Sequence, residues 1–209
     1  MPYDPQRHHR RSIRLPGYDY TQPGAYFITI VTHEQMPSFG EIVDGEMRLN
    51  EYGQIVRAEW FQTAVVRPYV VLHPDEFVVM PNHVHGIVWI VDMGGMDDDV
   101  GAQRRCAPTT TNPTNTAPTP TPTRRAVGGA TPTNVIPGSL GAIVRSFKSA
   151  TTKRINALQG TPGAPVWQRN YYEHIIRDDH ALARIRDYIQ SNPQRWADDQ
   201  ENPSLNRRR

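Results

Sequence analysis

The sequence predicts an α+β fold in which helices pack on an antiparallel sheet in the ferredoxin-like manner. Three observations carry that expectation. Strand-like and helix-like segments alternate as strand, helix, paired strands, helix, strand, helix. Two strand segments are separated only by a Pro-Asn turn, which joins antiparallel neighbours. The length of 209 residues suits one core better than two.

The first element is AYFITIVT, Ala25 to Thr32, rich in β-branched and aromatic residues and apolar on both faces, as a central strand requires. Asn50 then fits an N-cap for a helix running to about Val66, in which Tyr52, Ile55, Val56 and Trp60 approximate an apolar stripe that Thr63 weakens. A strand from Glu76 to Met80, the turn Pro81-Asn82 and a strand from His83 to Val91 form an antiparallel pair. Further on, Ser139 caps a helix through Leu158, with Leu140, Ile143, Val144, Phe147 and Ile155 at helical spacing. The extended segment Val166 to Arg177 leads into a helix from about Asp179 to Asn192, which Pro193 should stop.

Between these halves lies a Pro/Thr-rich stretch, residues 94–138, whose composition cannot build a buried face and reads as a disordered insert. Residues 1–93 and 139–196 are therefore expected to form a single discontinuous domain, followed by a basic tail, 197–209. The one cysteine, Cys106, lies inside the insert and excludes an internal disulfide or a cysteine-rich zinc site. With no apolar run long enough to span a bilayer and no secretory leader pattern, the expected location is the cytoplasm.

A net charge of only +2 names no partner, but its distribution points to a polyanion. Arginines crowd both ends, and the segment Ser139 to Leu158 carries Arg145, Lys148, Lys153 and Arg154 with no acid. Solvated surface charge is the bland alternative.

Alternation along His83-Val84-His85 puts both imidazoles on one face of a strand, close enough to share a divalent metal, with Val84 turned to the opposite layer. The pair alone fits satisfied core histidines better than a metal site, and its place just after a Pro-Asn turn, at a strand end facing a cleft, favours the metal. On the last helix Tyr188 and Asn192 are four residues apart, at roughly 90° and roughly 50° from the centre of the Leu182, Ile185 and Ile189 stripe, which leaves both at the margin of the packed face. An edge aromatic and a C-terminal cap would look the same.

The runs VVMPNHVHGIV, SFKSATTKRIN and VWQRNYYEHIIRDDHALARIRDYIQSNP resemble the REP-associated tyrosine transposases, single-tyrosine members of the HUH endonuclease superfamily, from about Arg14 to Trp196. The insert is the main departure. The resemblance implies the HUH variant of the fold, with His83, His85 and Asn192 holding Mg²⁺ or Mn²⁺ and Tyr188 as nucleophile. It also implies cleavage of single-stranded or hairpin DNA through a 5′-phosphotyrosine. A phenol, with an ordinary pKa near 10, needs help to attack phosphate at neutral pH, and a divalent cation supplies it by stabilising the charge that develops. The metal's identity stays open, as does monomeric against homodimeric action.

Tyr171 and Tyr172 are rival nucleophiles, although structural support or stacking on bases, together with Gln168 and Arg169, suits them better. Glu173 and His174 are candidates for orienting the metal ligands. The competing functions are a domesticated hairpin-DNA-binding protein without cleavage activity and a phosphodiesterase that uses water in place of tyrosine.

Overall fold

The protein is described from a computed structural model covering residue 15 and residues 17–93, 135–199 and 201–203. The N-terminal arginines, Cys106, nearly all of the insert and the C-terminal arginines lie outside the described residues.

In chain order the elements are β1 (Gly24–Val31), β2 (Gly40–Val43), β3 (Glu46–Leu49), α1 (Glu51–Val65), β4 (Val70–Val71), β5 (Phe77–Val79), β6 (His83–Ile90), α2 (Leu140–Gln159), β7 (Tyr172–Ile176) and α3 (Asp179–Ser191). The main sheet is antiparallel, in the order β4-β6-β1-β7 with β5 also paired to β6. Taking β4 and β5 together as one strand position recovers the ferredoxin-like order, with α3 as an additional helix.

Alternation along β1 builds two cores. Tyr26, Ile28 and Ile30 face a layer made with Val84 and Val88 of β6, Val56 and Trp60 of α1, and Leu140, Ile143, Val144, Phe147 and Ile155 of α2. Ala25 and Phe27 face the other way, onto Ile87 and Trp89 of β6 and onto Leu182 and Ile189 of α3. The central strands are buried on both faces because each face carries helices, and that is why β1 reads as continuously apolar.

Caps set the helix starts. Asn50 Oδ1 accepts from Gly53 N at 3.0 Å, and Asp178 Oδ1 from Ala181 N at 2.7 Å. Ser139 Oγ accepts from Ala142 N at 3.3 Å. At its other end α2 closes on Gly160, which takes a left-handed φ of 67°.

Three expectations need correction. The β2–β3 hairpin was not foreseen, although Asp44-Gly45 is a strong hairpin pair and both residues take positive φ, 54° and 78°. Only the end of Val166 to Arg177 becomes a strand, while Trp167 makes an isolated bridge to Thr32. Pro193 ends α3 but, lacking an N–H that would need a partner, opens a 3-10 turn, Pro193–Asp198, instead of releasing a tail. Among the described residues no helix is long and apolar enough to cross a membrane.

Gly86, beside the histidines, has a steric role. A Cβ there would lie 2.5 Å from Trp60 Cζ2 and 3.0 Å from Phe77 Cδ2, inside a stack whose ring centroids are 4.4 Å apart. Gly86→Ala is expected to cost about 1–3 kcal/mol through overpacking, read as a lower urea midpoint with an unchanged slope.

Candidate active site

His83 and His85 open β6 on the face that carries α3, 0% and 2% exposed, with their Nε2 atoms 2.9 Å apart. Val84 points into the opposite core, as alternation requires. The Nδ1 partners set the chemistry of the pair. Asn82 Nδ2 donates to the carbonyls of Gln35 and Glu201, so Asn82 Oδ1 is the atom facing His83 Nδ1 at 2.9 Å. An amide oxygen only accepts, so Nδ1 carries the proton and Nε2 is left with a bare lone pair. His85 Nδ1 is 2.8 Å from Thr29 Oγ1, which can accept from it in the same way.

From α3, Tyr188 brings its hydroxyl to 3.2 Å from His85 Nε2, with its ring edge-on to Phe27 and His85. The residue is 39% exposed, so the hydroxyl bridges the buried pair and solvent. Asn192 is 2% exposed; its Nδ2 donates to Asp199 Oδ2 at 3.0 Å, and its buried Oδ1 has no hydrogen-bond partner.

Asp199 is the residue that sequence reasoning missed. The turn after Pro193 carries it back over the histidines, where Oδ2 lies 3.9 Å from His83 Nε2 and Oδ1 accepts from Glu201 N at 2.7 Å. Ligand atoms of His83, His85 and Asp199 lie within 4.8 Å of one another. The segment expected to be a tail from residue 197 therefore begins as part of the site, held by Asn82 and by the buried Asn202, which donates to the carbonyl of Trp196. An acidic pair beyond a helix stop reads in sequence only as charge, and no periodicity links it to β6.

Burial depresses the pKa of both imidazoles. His83 falls to about 4 despite the opposing pull of Asp199, and His85 lies well below its ordinary value, lowered further by His83. Both are neutral at pH 7. Burial first, and then the charge of Asp199, push Tyr188 up to about 12, while a hydrogen bond with Asn192 pulls the other way. Bare imidazole nitrogens and a carboxylate thus converge with few protons to share, and the Asn192 amide is hydrogen-bonded to that carboxylate. That donor set fits a divalent cation, with the carboxylate adding the hard oxygen that Mg²⁺ or Mn²⁺ favours.

Tyr172 lies on the same face. It pairs with Thr29, which pairs with His85, and its exposed ring meets Phe27 edge-on. Tyr171 packs against the opposite core instead, with Lys148 Nζ 5.7 Å from its ring centre. Glu173 pairs with Ile28 and faces that opposite layer as well, so it does not orient the histidines; His174, paired with Phe27, shares their face.

The remaining residues expected to touch DNA are not brought to the histidines. Helix α2, with Arg145, Lys148, Lys153 and Arg154, packs on the far face of the sheet. Lys148 Nζ donates to the carbonyls of Gln168 and Asn170 at 2.8 and 2.9 Å, and burial lowers its pKa to about 8. Arg154 pairs with Glu59 at 2.7 Å. Lys148, Lys153, Trp167 and Gln168 do share one cavity of about 810 Å³ between α2 and the loop that follows it, with Arg169 exposed next to Gln168.

No family model matches the chain. It is 38% identical over 198 residues to an uncharacterised protein of Haemophilus influenzae, covering 95% of this chain and 96% of that one. A second Haemophilus influenzae protein, described as a putative REP-associated tyrosine transposase, is 25% identical over 84% of this chain and 73% of its own. Among solved structures, one of a REP-associated tyrosine transposase bound to a REP hairpin is 19% identical and aligns with 87% of this chain and 73% of that one, at a TM-score of 0.47. A putative transposase from Deinococcus radiodurans is also 19% identical, over 85% of this chain and 95% of that one, at a TM-score of 0.36.

Proposed function

Because this chain belongs to one family with the uncharacterised Haemophilus influenzae protein and resembles the REP-associated tyrosine transposases, we propose that it is a transposase-like, metal-dependent DNA endonuclease and strand transferase acting on single-stranded or hairpin DNA. One observation supports this reading above the others. The Tyr188 hydroxyl stands 3.2 Å from His85 Nε2, at the edge of a cluster of lone pairs suited to a cation.

In this reading His83, His85 and Asn192 would hold the metal, together with Asp199, and the chemistry supplied there when it is bound would be charge stabilisation at the scissile phosphate and on the ionised phenol. The chain's own residues do the rest. Thr29 and Asn82 hold the imidazole tautomers, and α3 presents Tyr188 from the partly solvated side, where a phosphodiester can reach it. The Tyr188 Oη–P bond forms as the P–O3′ bond breaks; the phenol loses its proton and the departing 3′ oxygen gains one. The product is a 5′-phosphotyrosine with a free 3′-hydroxyl, and attack by a second 3′-hydroxyl reverses the chemistry and reseals a strand.

Tyr172, exposed beside Phe27, is a stacking surface for a base next to the scissile phosphate. The cavity with Lys148, Lys153, Trp167 and Gln168 is a second contact surface for the same DNA, remote from the cut. Residues 1–93 and 139–196, with the turn carrying Asp199, act as one discontinuous catalytic domain in the cytoplasm.

The test is incubation of the protein with labelled hairpin DNA and Mn²⁺ or Mg²⁺, followed by denaturing electrophoresis. A metal-dependent, denaturant-resistant protein–DNA adduct is expected. Binding without cleavage would favour the domesticated binding protein, and cleavage without adduct the water-using phosphodiesterase.

A further inference from the structure

Glu76 is wholly buried, and its carboxylate is held from two directions. Oε2 accepts from the Trp89 indole at 2.6 Å, and Oε1 accepts from Arg186 Nε and Nη2 at 2.8 and 2.5 Å. Trp89 stands on β6, four residues beyond His85 and on the same face. Arg186 stands on α3, two residues before Tyr188. One carboxylate therefore ties the strand that carries the histidines to the helix that carries the tyrosine.

The helical angles say what this tie controls. About the Leu182, Ile185 and Ile189 stripe, Arg186 lies roughly 65° to one side and Tyr188 roughly 90° to the other. The stripe holds α3 down on the sheet, but apolar contact is non-directional and resists rolling only weakly. Charge-assisted hydrogen bonds on one flank are directional and fix the roll. At a radius of about 6 Å, a roll of 10° moves a side-chain atom by about 1 Å.

We infer that Glu76 is a positioning residue: through Arg186 and Trp89 it fixes the rotation of α3 about its own axis, and so the distance of the Tyr188 hydroxyl from the histidine pair. The inference rests on the proposed nucleophilic role of Tyr188, and its experiment separates the two. In Glu76→Gln the amide oxygen still accepts from Trp89 while the charge on Arg186 loses its partner. Glu76→Gln/Arg186→Met removes both charges together, and Arg186→Lys keeps charge but not the paired donors.

Two measurements are made on variants whose folding is verified by thermal melting. The first is the single-turnover rate of adduct formation at saturating hairpin DNA and Mn²⁺, per active molecule, beside the dissociation constant for DNA. The second is broadening by Mn²⁺ of the fluorine resonance of 3-fluorotyrosine placed at position 188, which reports proximity to the metal without any chemistry. The double variant should form adduct about 100-fold more slowly, because misplacement by 1 Å is costly, with DNA affinity nearly unchanged and weaker fluorine broadening. Arg186→Lys should fall between. If the double variant does not fold, Glu76→Gln alone carries the test. An unchanged rate and unchanged broadening in folded variants would overturn the inference. A wild-type protein that forms no adduct, yet whose fluorine broadening weakens in the variants, would reject the nucleophile and keep the positioning role.

Discussion

Replacing Tyr188 with phenylalanine is expected to abolish the covalent protein–DNA adduct, by at least about 10⁴-fold, while the fold and the affinity for DNA stay near wild type. The change removes one oxygen. The ring keeps its edge-on contacts with Phe27 and His85, and the lost hydrogen bond to His85 lies at a half-exposed position. Stability should therefore move by no more than about 1 kcal/mol. Tyr171→Phe and Tyr172→Phe are the controls. A ring packed on the core, or stacked on a base, tolerates the loss of its hydroxyl, so both should cleave. Cleavage that persists in Tyr188→Phe without adduct would point to water as the nucleophile.

His83→Ala and His85→Ala should each abolish cleavage as well, with DNA binding retained, because affinity arises over a wider basic surface than the scissile phosphate. Asn192→Ala and Asp199→Ala should be milder and should shift the divalent concentration needed for activity upward. The histidines also leave a mark on stability that is independent of DNA. The folded-state pKa of His83 is depressed, so at mildly acidic pH the unfolded chain binds more protons than the folded one. Its contribution is fully present above about pH 6.5 and is lost as pH falls toward about 4. His83→Gln, which cannot titrate, should flatten the acid limb of a melting-temperature profile taken without metal. An acid limb identical to wild type would show that His83 is not the buried neutral group described here.

Periodicity made much of the architecture readable. Apolar residues on both faces marked β1 as central, the caps Asn50 and Ser139 sit where helices begin, and His83-Val84-His85 had to split between layers. The pairing of His85 with Tyr188 followed from no local pattern; it needed the resemblance. Asp199 stayed hidden because its approach to His83 depends on a turn seeded by Pro193, and sequence rules read such a proline as an ending. In sequence Glu76 reads as the first residue of a strand, whereas it closes the 3-10 turn Pro74–Glu76, and nothing in its neighbourhood announces a partner 110 positions away. The basic charge of α2 is legible in the sequence, but which side of the sheet that helix covers depends on the crossover between β6 and β7. The Asp44-Gly45 hairpin, by contrast, was legible and overlooked.

The most direct test is to trap the adduct formed with hairpin DNA and Mn²⁺, digest protein and DNA, and locate the nucleotide by mass spectrometry. The nucleotide should be found on the peptide containing Arg186 to Asn192, linked to Tyr188 through a 5′-phosphate. A nucleotide on Tyr171 or Tyr172, or a 3′-phosphate linkage, would contradict the assignment.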